Sequence, residues 1–528
     1  MAHCREHQGT GDVMMDDRLV TRAVQQLDRD IAELFFAYEG SQQFEGELTI
    51  PTDDTMKTWL NRVQTYQNRV EKESMHSFWR DHFGEVLTSL TTQVELDLDR
   101  PYKFINRLTS AIDHLSSADQ RSPRERSALI GKKARYAREL LDTVLSRLTR
   151  KNQATRLEAA DSARVLKSGA QHAAGYWSKK GFEETAATLE QIGKMADDFS
   201  LRLTELETQE LEPTLSYRRI LENGYGLSFD WVLSWYRSAL SGEGEAMRHL
   251  ASIIDPKRSA PQILQEDLGA YPNPREMFGA MEEYVGQAQT QAQRYVKLPS
   301  GEGCTVEAMP ELVKQTSPWG AYYGGDVLGG DLKGRVVLND DNYQHVTRGW
   351  LEMMAVHECY PGHHTHRIKT AASKLPLTFK CDYLASAVIT EGIAHRSETL
   401  LKDIFPEAAY PLFVQYRRVH TTARIKVDVD FFINNKPLDE VHKIYCEEMG
   451  LDEKTARAQA RAHLLIPGAH VTYYSGMQKL QELQCQLGWN DQRFTEAIFG
   501  HGFISANTLS ALLRLTEEER AQIRSFCE

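Results

Sequence analysis

Three histidines and a glutamate crowd into the eight residues His357–His364, at the end of an apolar helical pattern. Imidazole nitrogens and carboxylate oxygens are the ligands of catalytic zinc sites, where a glutamate beside the first histidine accepts a proton from water. In the usual HExxH motif the second histidine follows four residues later, so the two side chains lie about 40° apart on one helix face. Here that position is Pro361, so the usual motif is absent.

The break at Pro361-Gly362 decides which later histidine can join His357 on one ion. The proline ring collides with the carbonyl of the residue four positions earlier, and glycine tolerates the dihedral angles that relieve the clash. On an undistorted helix His363 would point about 240° away from His357. His364 would be nearly aligned but about 10.5 Å further along the axis. We predict a distorted turn that makes His363 the ligand, with His364 as the alternative; a histidine-rich helix end without metal is the competing interpretation.

A site of this kind needs a third protein ligand, commonly a carboxylate from a second helix. The best candidate is Glu391, because the small apolar run 385–389 before it predicts a buried segment. A buried carboxylate needs a cation or hydrogen bonds, and a metal ion would supply the cation. The alternative is a surface glutamate paired with His395. The predicted cofactor is one Zn2+ per chain, since mixed nitrogen and oxygen ligands suit zinc.

The elements that must position these residues are mainly helical. Apolar residues recur at helical spacing through most of the region before residue 300, as in Leu140–Leu148, and Ser228 is predicted to cap a further helix. Arg335–Asn339 is the best strand candidate and precedes the helix that carries His357. The predicted organisation is a disordered N-terminus at 1–16, a helical region forming a groove wall at 17–300, and a catalytic region with C-terminal helices at 301–528.

Composition and charge limit the classes of partner. The 528 residues are 41% hydrophobic and 26% charged, with a net charge of −12. An excess of negative charge argues against a nucleic-acid surface, and neither an apolar leader nor a run long enough to span a membrane is present in the sequence. Seven scattered cysteines favour free thiols and a cytoplasmic location. We therefore expect neither nucleic acid nor membrane as a partner, and the sequence makes no prediction of oligomeric state.

Three blocks of the sequence resemble a bacterial "domain of unknown function" zincin family marked by HExxPGHH. They are His357–His364 with the strand before it, the segment Glu391–Glu398, and Ile466–Gly476, which matches PGQALSYxxG. The resemblance covers roughly residues 215–516. It implies a fold similar to carboxypeptidase Taq-type metallopeptidases, which is a mainly α, large helical, gluzincin-type fold with a small β-sheet beside the active-site helix.

The resemblance also implies catalytic roles for the matching residues. His357, His363 and Glu391 would bind the zinc ion. Glu358 would be the general base that takes a proton from the metal-bound water and hands it to the leaving amine. Tyr473 would donate a hydrogen bond to the developing oxyanion, although a buried packing tyrosine is the alternative.

Further roles follow from the same resemblance for residues around the ligands. The strand with Val337 and Asn339 would bind the substrate backbone by edge pairing, and Glu398 and His364 would orient the metal ligands. The surrounding residues depart from the family pattern. The departures are Ile393, Arg396, Ala462-His463, Ala469 and Phe432.

The leading hypothesis is a zinc-dependent hydrolase, a metallopeptidase or amidase, that cleaves short peptides or small amides in a carboxypeptidase-like manner. A catalytically inactive scaffold of the same fold, which binds a metal and a peptide or metabolite, is the alternative. The altered surrounding residues favour the scaffold, whereas Glu358 favours the enzyme. A redox role for Cys359 is the weakest hypothesis.

Overall fold

Helices make up most of the chain, and one small sheet interrupts them. This computed structural model describes residues 19–40, 48–117, 121–149, 151, 153–206, 215–309, 314, 319–524 and 526. The predicted disordered N-terminus, 1–16, lies outside the described residues. The mainly helical character with a small sheet agrees with the prediction.

The helices before the sheet follow one another through short connections. They are α1 (Arg22–Glu39), α2 (Asp53–Lys72), α3 (Ser77–Asp99), α4 (Tyr102–Ser117), α5 (Pro123–Ala134), α6 (Ala137–Leu148), α7 (Gln153–Lys179), α8 (Glu183–Thr204), α9 (Tyr217–Arg219, continued by a π-helical turn at Ile220–Gly224), α10 (Phe229–Ile254), α11 (Ala260–Asp267) and α12 (Pro274–Ala292). The periodic leucines of α6 are buried, and the Ser228 hydroxyl accepts a hydrogen bond from the Trp231 N–H at the start of α10. Both local predictions are confirmed.

Three strands form the sheet, in the order β1-β3-β2. They are β1 (Gly303–Ala308), β2 (Gly320–Gly324) and β3 (Lys333–Leu338). The central strand, β3, pairs parallel with β1 and antiparallel with β2. The Val-Val-Leu end of β3 is buried, as expected for branched apolar residues within a sheet. The predicted strand therefore exists, but it lies in the middle of the sheet.

Helices resume after the sheet and continue to the last described residues. They are α13 (Arg348–Met354), α14 (His363–Ala372), α15 (Ala387–Leu400), α16 (Tyr410–Phe432), α17 (Leu438–Val441), α18 (Lys443–Met449), α19 (Glu453–Leu465), α20 (Thr472–Leu487), α21 (Asp491–Phe499), α22 (Ala506–Arg514) and α23 (Glu517–Arg524). None of the described helices is both long enough and apolar enough to cross a membrane.

One large hydrophobic core includes residues from helices before and after the sheet in the sequence, from Leu19 to Phe526. Buried polar contacts add to it. The Asp28 carboxylate on α1 accepts hydrogen bonds from the backbone N–H groups of Leu377 and Thr378, at 2.8 and 2.9 Å. Helices from the regions 17–300 and 301–528 therefore pack against each other over a shared core.

Two glycines set the distance between α15 and α20. A Cβ atom on Gly476 would lie 1.9 Å from the carbonyl oxygen of Val388, and one on Gly392 would lie 2.5 Å from the carbonyl carbon of Gly476. Only glycine therefore allows the backbones to approach this closely. The contact brings Glu391 on α15 near Tyr473 on α20, so that the charge of the carboxylate acts on the phenol.

Candidate metal centre

The chain reverses between the two helices that carry the histidines. It leaves α13 through a π-helical turn, Ala355–Cys359, then passes a cis peptide bond before Pro361 and starts α14 at His363. A Cβ atom on Gly362 would lie 1.7 Å from the carbonyl oxygen of His357, so this return requires glycine. The predicted break is present. It takes the form of a π-helical turn followed by a new helix.

This reversal turns His357 and His363 toward Glu391. Each histidine Nε2 approaches Oε2 of Glu391, at 3.5 and 3.6 Å, and the three ligand atoms lie within 4.8 Å of one another. Ligands of a tetrahedral zinc ion, at bond lengths of about 2.0–2.1 Å, lie roughly 3.4 Å apart. Glu391 Oε2 is buried and has no hydrogen-bond partner among the described residues. A cation would complete this arrangement, so the three residues, called the triad below, fit one divalent ion.

The other ring nitrogen of His357 is held by Glu398. Nδ1 lies 2.8 Å from Oε1 of this fully buried carboxylate, which also faces Arg417 at 3.4 Å. Burial by itself would lower the pKa of His357, but Glu391 and Glu398 outweigh burial and raise that pKa to about 10. Burial would raise the pKa of Glu398, but Arg417 and His395 hold it well below its usual value. A carboxylate on the far nitrogen fixes the ring so that Nε2 points at the triad.

Glu358 and Tyr473 lie close to the triad. Glu358 is partly exposed, and its negative charge acts on both His357 and Tyr473. The rings of Tyr473 and His357 stack with their centroids 6.0 Å apart, and the guanidinium of Arg424 lies 4.9 Å from the Tyr473 ring centroid. Burial and the charge of Glu391 raise the pKa of Tyr473, so its hydroxyl keeps its proton at neutral pH and can donate a hydrogen bond.

His364 belongs to a different cluster, contrary to the prediction that it is an alternative ligand or orients the ligands. Its Nε2 lies 3.0 Å from Glu302 and its Nδ1 lies 3.0 Å from the hydroxyl of Tyr322 on β2. The Tyr360 hydroxyl donates to the same Glu302 oxygen at 2.5 Å. The reason is geometric, because one residue along a helix rotates the side chain by about 100°. These four residues are called the Glu302 cluster below.

The predicted substrate strand is not an edge strand, so that prediction is wrong. Val337 is buried and its backbone lies between those of both neighbouring strands. Asn339 lies beyond the end of β3, where its side chain accepts a hydrogen bond from the Asn342 N–H and donates one to the carbonyl oxygen of Lys314. The edge strand next to α14 is β2, which Tyr322 links to that helix. An apolar run in the sequence cannot distinguish a central strand from an edge.

The family pattern RxxxDxxxH, kept here as Arg424 and Asp428, marks part of a polar face on α16, but sequence reasoning gave that face no role and missed its other members. Arg417, His420, Arg424 and Asp428 recur at helical spacing and are buried. That spacing, on a helix with many apolar residues, was the signal that could have identified them. Glu302 and Tyr322 carry no such signal, because they come from a loop and a strand that meet His364 only in the folded chain.

A groove of about 510 Å³ has one end near the triad, although no triad residue is part of its lining. The lining includes residues of α1, α3 and α4 together with Arg367 and Asp382. The charges of His363 and Glu391 act on the Asp382 carboxyl, so this end of the groove is close to the candidate metal centre. The volume is within the range of small-ligand pockets.

The sequence matches the model of a bacterial protein family of unknown function, DUF885, over residues 16–513. Two solved structures are similar in fold. A predicted lipoprotein from Colwellia psychrerythraea has a TM-score of 0.77 at 13% identity, covering 93% of this chain and 98% of that chain. A predicted lipoprotein of unknown function from Shewanella oneidensis has a TM-score of 0.68 at 12% identity, covering 93% and 99%. No curated protein matches the sequence.

Proposed function

The chain belongs to the bacterial DUF885 family, and we propose that it is a zinc-dependent hydrolase that cleaves amide or peptide bonds in short peptides or small amides. One observation carries this proposal: the ligand atoms of His357, His363 and Glu391 converge within 4.8 Å, and the residue after the first of them is a carboxylate, Glu358. A zinc ion that serves only structure needs no base beside it. The small sheet beside the ligand-bearing helices supports the metallopeptidase-like fold that the HExxPGHH resemblance implies.

The residues around the triad supply the remaining chemistry. When bound, a zinc ion polarises the scissile carbonyl and provides hydroxide near neutral pH. Glu358 takes the proton of the attacking water and returns it to the leaving amine as the C–N bond breaks. Tyr473 donates a hydrogen bond to the oxygen that becomes negatively charged. Glu398 keeps the His357 ring in the orientation that the triad requires.

The groove near the triad and the edge of the sheet support the proposed substrate class. A volume of about 510 Å³ suits a short peptide or small amide better than a folded protein. We assign substrate backbone pairing to β2, whose outer edge pairs with no other described strand. Carboxypeptidase-like cleavage remains a proposal from the resemblance.

Metal analysis combined with a peptide screen tests the proposal. The purified protein and its Glu358→Gln variant are analysed for zinc and incubated with a mixed peptide library read by mass spectrometry. We expect one zinc per chain in both, and a rate in the variant lower by roughly 100- to 10,000-fold. Glu440→Gln, which changes an exposed carboxylate on α17, should behave like the native protein.

Two results would count against the hydrolase. If the native protein binds stoichiometric zinc and cleaves no peptide, the chain is a metal-binding scaffold. If neither protein binds zinc under conditions that load other zinc enzymes, the triad itself is misassigned.

A further inference from the structure

A buried guanidinium lies beside the oxyanion-donor candidate without a full set of partners. Arg424 on α16 is 9% exposed and lies 4.9 Å from the ring centroid of Tyr473. Its Nε atom is buried and has no hydrogen-bond partner in the described part of the chain. Its charge also acts on the Glu391 carboxylate, so Arg424 is close to the candidate metal centre.

Two imidazoles beside Arg424 also have unused nitrogens. Arg417 Nη1 lies 3.1 Å from Nδ1 of His420, and because a guanidinium can only donate, the other nitrogen of His420 carries the proton. That nitrogen, Nε2, is buried without a partner, and so are both ring nitrogens of His470, as far as the described residues show. Burial and the charge of Arg424 keep the pKa of both rings well below the usual value, so both are neutral.

The acidic residues nearby do not satisfy these donors. Asp428 accepts hydrogen bonds from His463, from the Tyr217 hydroxyl at 2.8 Å and from the Gly468 N–H at 2.9 Å. Glu391 belongs to the triad, where an ion would take up its charge. Buried donors that keep no acceptor in the folded chain are unfavourable unless a ligand provides one.

We propose that Arg424, His420 and His470 form a subsite that binds a carboxylate of the substrate beside the metal centre. The subsite carries one positive charge and neutral imidazole donors, which matches a singly charged carboxylate better than a doubly charged phosphate. The inference rests on the proposed function and narrows its substrate class to peptides or amides with a carboxylate close to the scissile bond. That carboxylate is either the chain terminus or an acidic side chain.

Binding, measured without turnover, tests the subsite. The zinc-loaded Glu358→Gln variant is titrated calorimetrically with three acetylated tripeptides of the same length. One ends in glutamate amide and has only a side-chain carboxylate, one ends in glutamine with a free terminus and has only a terminal carboxylate, and one ends in glutamine amide and has neither. We expect one of the acidic peptides to bind about tenfold tighter than the neutral one. The peptide that binds tighter identifies the source of the carboxylate.

Variants then assign the preference to the subsite. In the Glu358→Gln background, Arg424→Gln should abolish the preference, Arg424→Lys should retain part of it, and His470→Ala should reduce it several-fold. Arg493→Gln, which changes a cation on α21 stacked on Trp489, is the matched control and should leave it unchanged. Zinc content and circular dichroism check each variant; if Arg424→Gln is misfolded, the lysine and His470 variants decide.

Three equal affinities would overturn the subsite, and so would a preference that survives both Arg424→Gln and His470→Ala, since the metal would then be the carboxylate receptor. The outcome is separable from that of the proposed function. A native enzyme that cleaves peptides without any acidic preference retains the hydrolase and loses the subsite. An Arg424-dependent preference in a protein that cleaves nothing retains the subsite and loses the hydrolase.

Discussion

His363 and His364 are neighbours in the sequence, but they belong to two clusters with opposite hydrogen-bonding character. His363 faces a carboxylate oxygen of Glu391 at 3.6 Å, and that oxygen has no hydrogen-bond partner among the described residues. His364 has both ring nitrogens at 3.0 Å from a partner, Glu302 on one side and Tyr322 on the other. Polar atoms that converge but stay beyond hydrogen-bond distance indicate an ion site, whereas atoms at hydrogen-bond distance indicate a structural link.

The two clusters therefore connect different elements of the fold. The triad brings α14, α15 and the π-helical turn to a common point, and the Glu302 cluster fastens β2 and the loop before β1 to α14. The contact between Tyr322 and His364 in the Glu302 cluster also depends on a glycine in β3. A Cβ atom on Gly334 would lie 2.5 Å from the Tyr322 hydroxyl and 2.7 Å from Nδ1 of His364.

Replacing each of the two histidines separately with alanine should give the largest difference in zinc affinity. His363→Ala should lower zinc affinity by more than about 100-fold, because it removes a ligand and not only its support. His364→Ala should keep one zinc per chain, because His364 does not face the triad. Zinc per chain after dialysis against a chelator measures both. Loss of zinc from the His364 variant alone would reverse the two assignments.

Removing the support of a ligand should have the next largest effect. Glu398→Gln keeps the shape of the side chain but removes the charge that holds His357 Nδ1, so zinc affinity should fall by roughly 10- to 100-fold. Competition with a chelating dye measures the change, and Glu447→Gln on the exposed face of α18 is the control. Unchanged affinity in a folded Glu398 variant would show that His357 needs no carboxylate to point at the triad.

The features of this arrangement that depend on residues close together in the chain could be predicted from the sequence. Helical periodicity predicts elements such as α6, and the side-chain chemistry around Pro361 and Gly362 predicts a break that allows His363 to return toward His357. These inferences depend on residues close together in the chain, where sterics and ligand preference limit the alternatives.

The rest depends on contacts that no local pattern encodes. Which of the two neighbouring histidines faces Glu391 is decided by a π-helical turn and by the position of Glu302, more than 50 residues earlier in the sequence. The apolar run around Val337 would be the same in a central or an edge strand, so the pairing of β3 on both sides could not be predicted from the sequence.

Loosening β2 should affect substrate binding more than chemistry. Tyr322→Phe removes the hydroxyl that contacts His364, so KM should rise by roughly 3- to 10-fold with little change in kcat and none in zinc content. Steady-state kinetics on a peptide found in the library screen measures this. Tyr323→Phe is the matched control, because successive side chains of a strand point to opposite faces. An equal change in both variants would remove the specific role of the Glu302 cluster.

Glu352 on α13 tests whether a buried carboxylate is enough to indicate an ion site when no histidines converge on it. Both of its carboxylate oxygens are buried, and the acidic side chain beside them is Glu407, to which a protonated Glu352 can donate a hydrogen bond. Burial, together with Glu407, raises the pKa of Glu352 to about 10. We therefore expect a proton at this position and no metal.

The raised pKa of Glu352 predicts that the free energy of unfolding decreases as the pH rises. The folded chain holds a proton that the unfolded chain releases above the ordinary glutamate pKa, so the stabilisation is complete below that value and is lost as the pH rises toward 10. For each pH unit between pH 6 and pH 9 the native protein should lose roughly 1–2 kcal/mol more unfolding free energy than Glu352→Gln. Thermal and urea denaturation at both pH values measures the difference, with Glu282→Gln on the exposed face of α12 as control. A zinc deficit in the Glu352 variant would mean that converging histidines are not required for a buried carboxylate to serve as an ion ligand. An unchanged pH dependence would mean that Glu352 does not hold the expected proton in the folded chain.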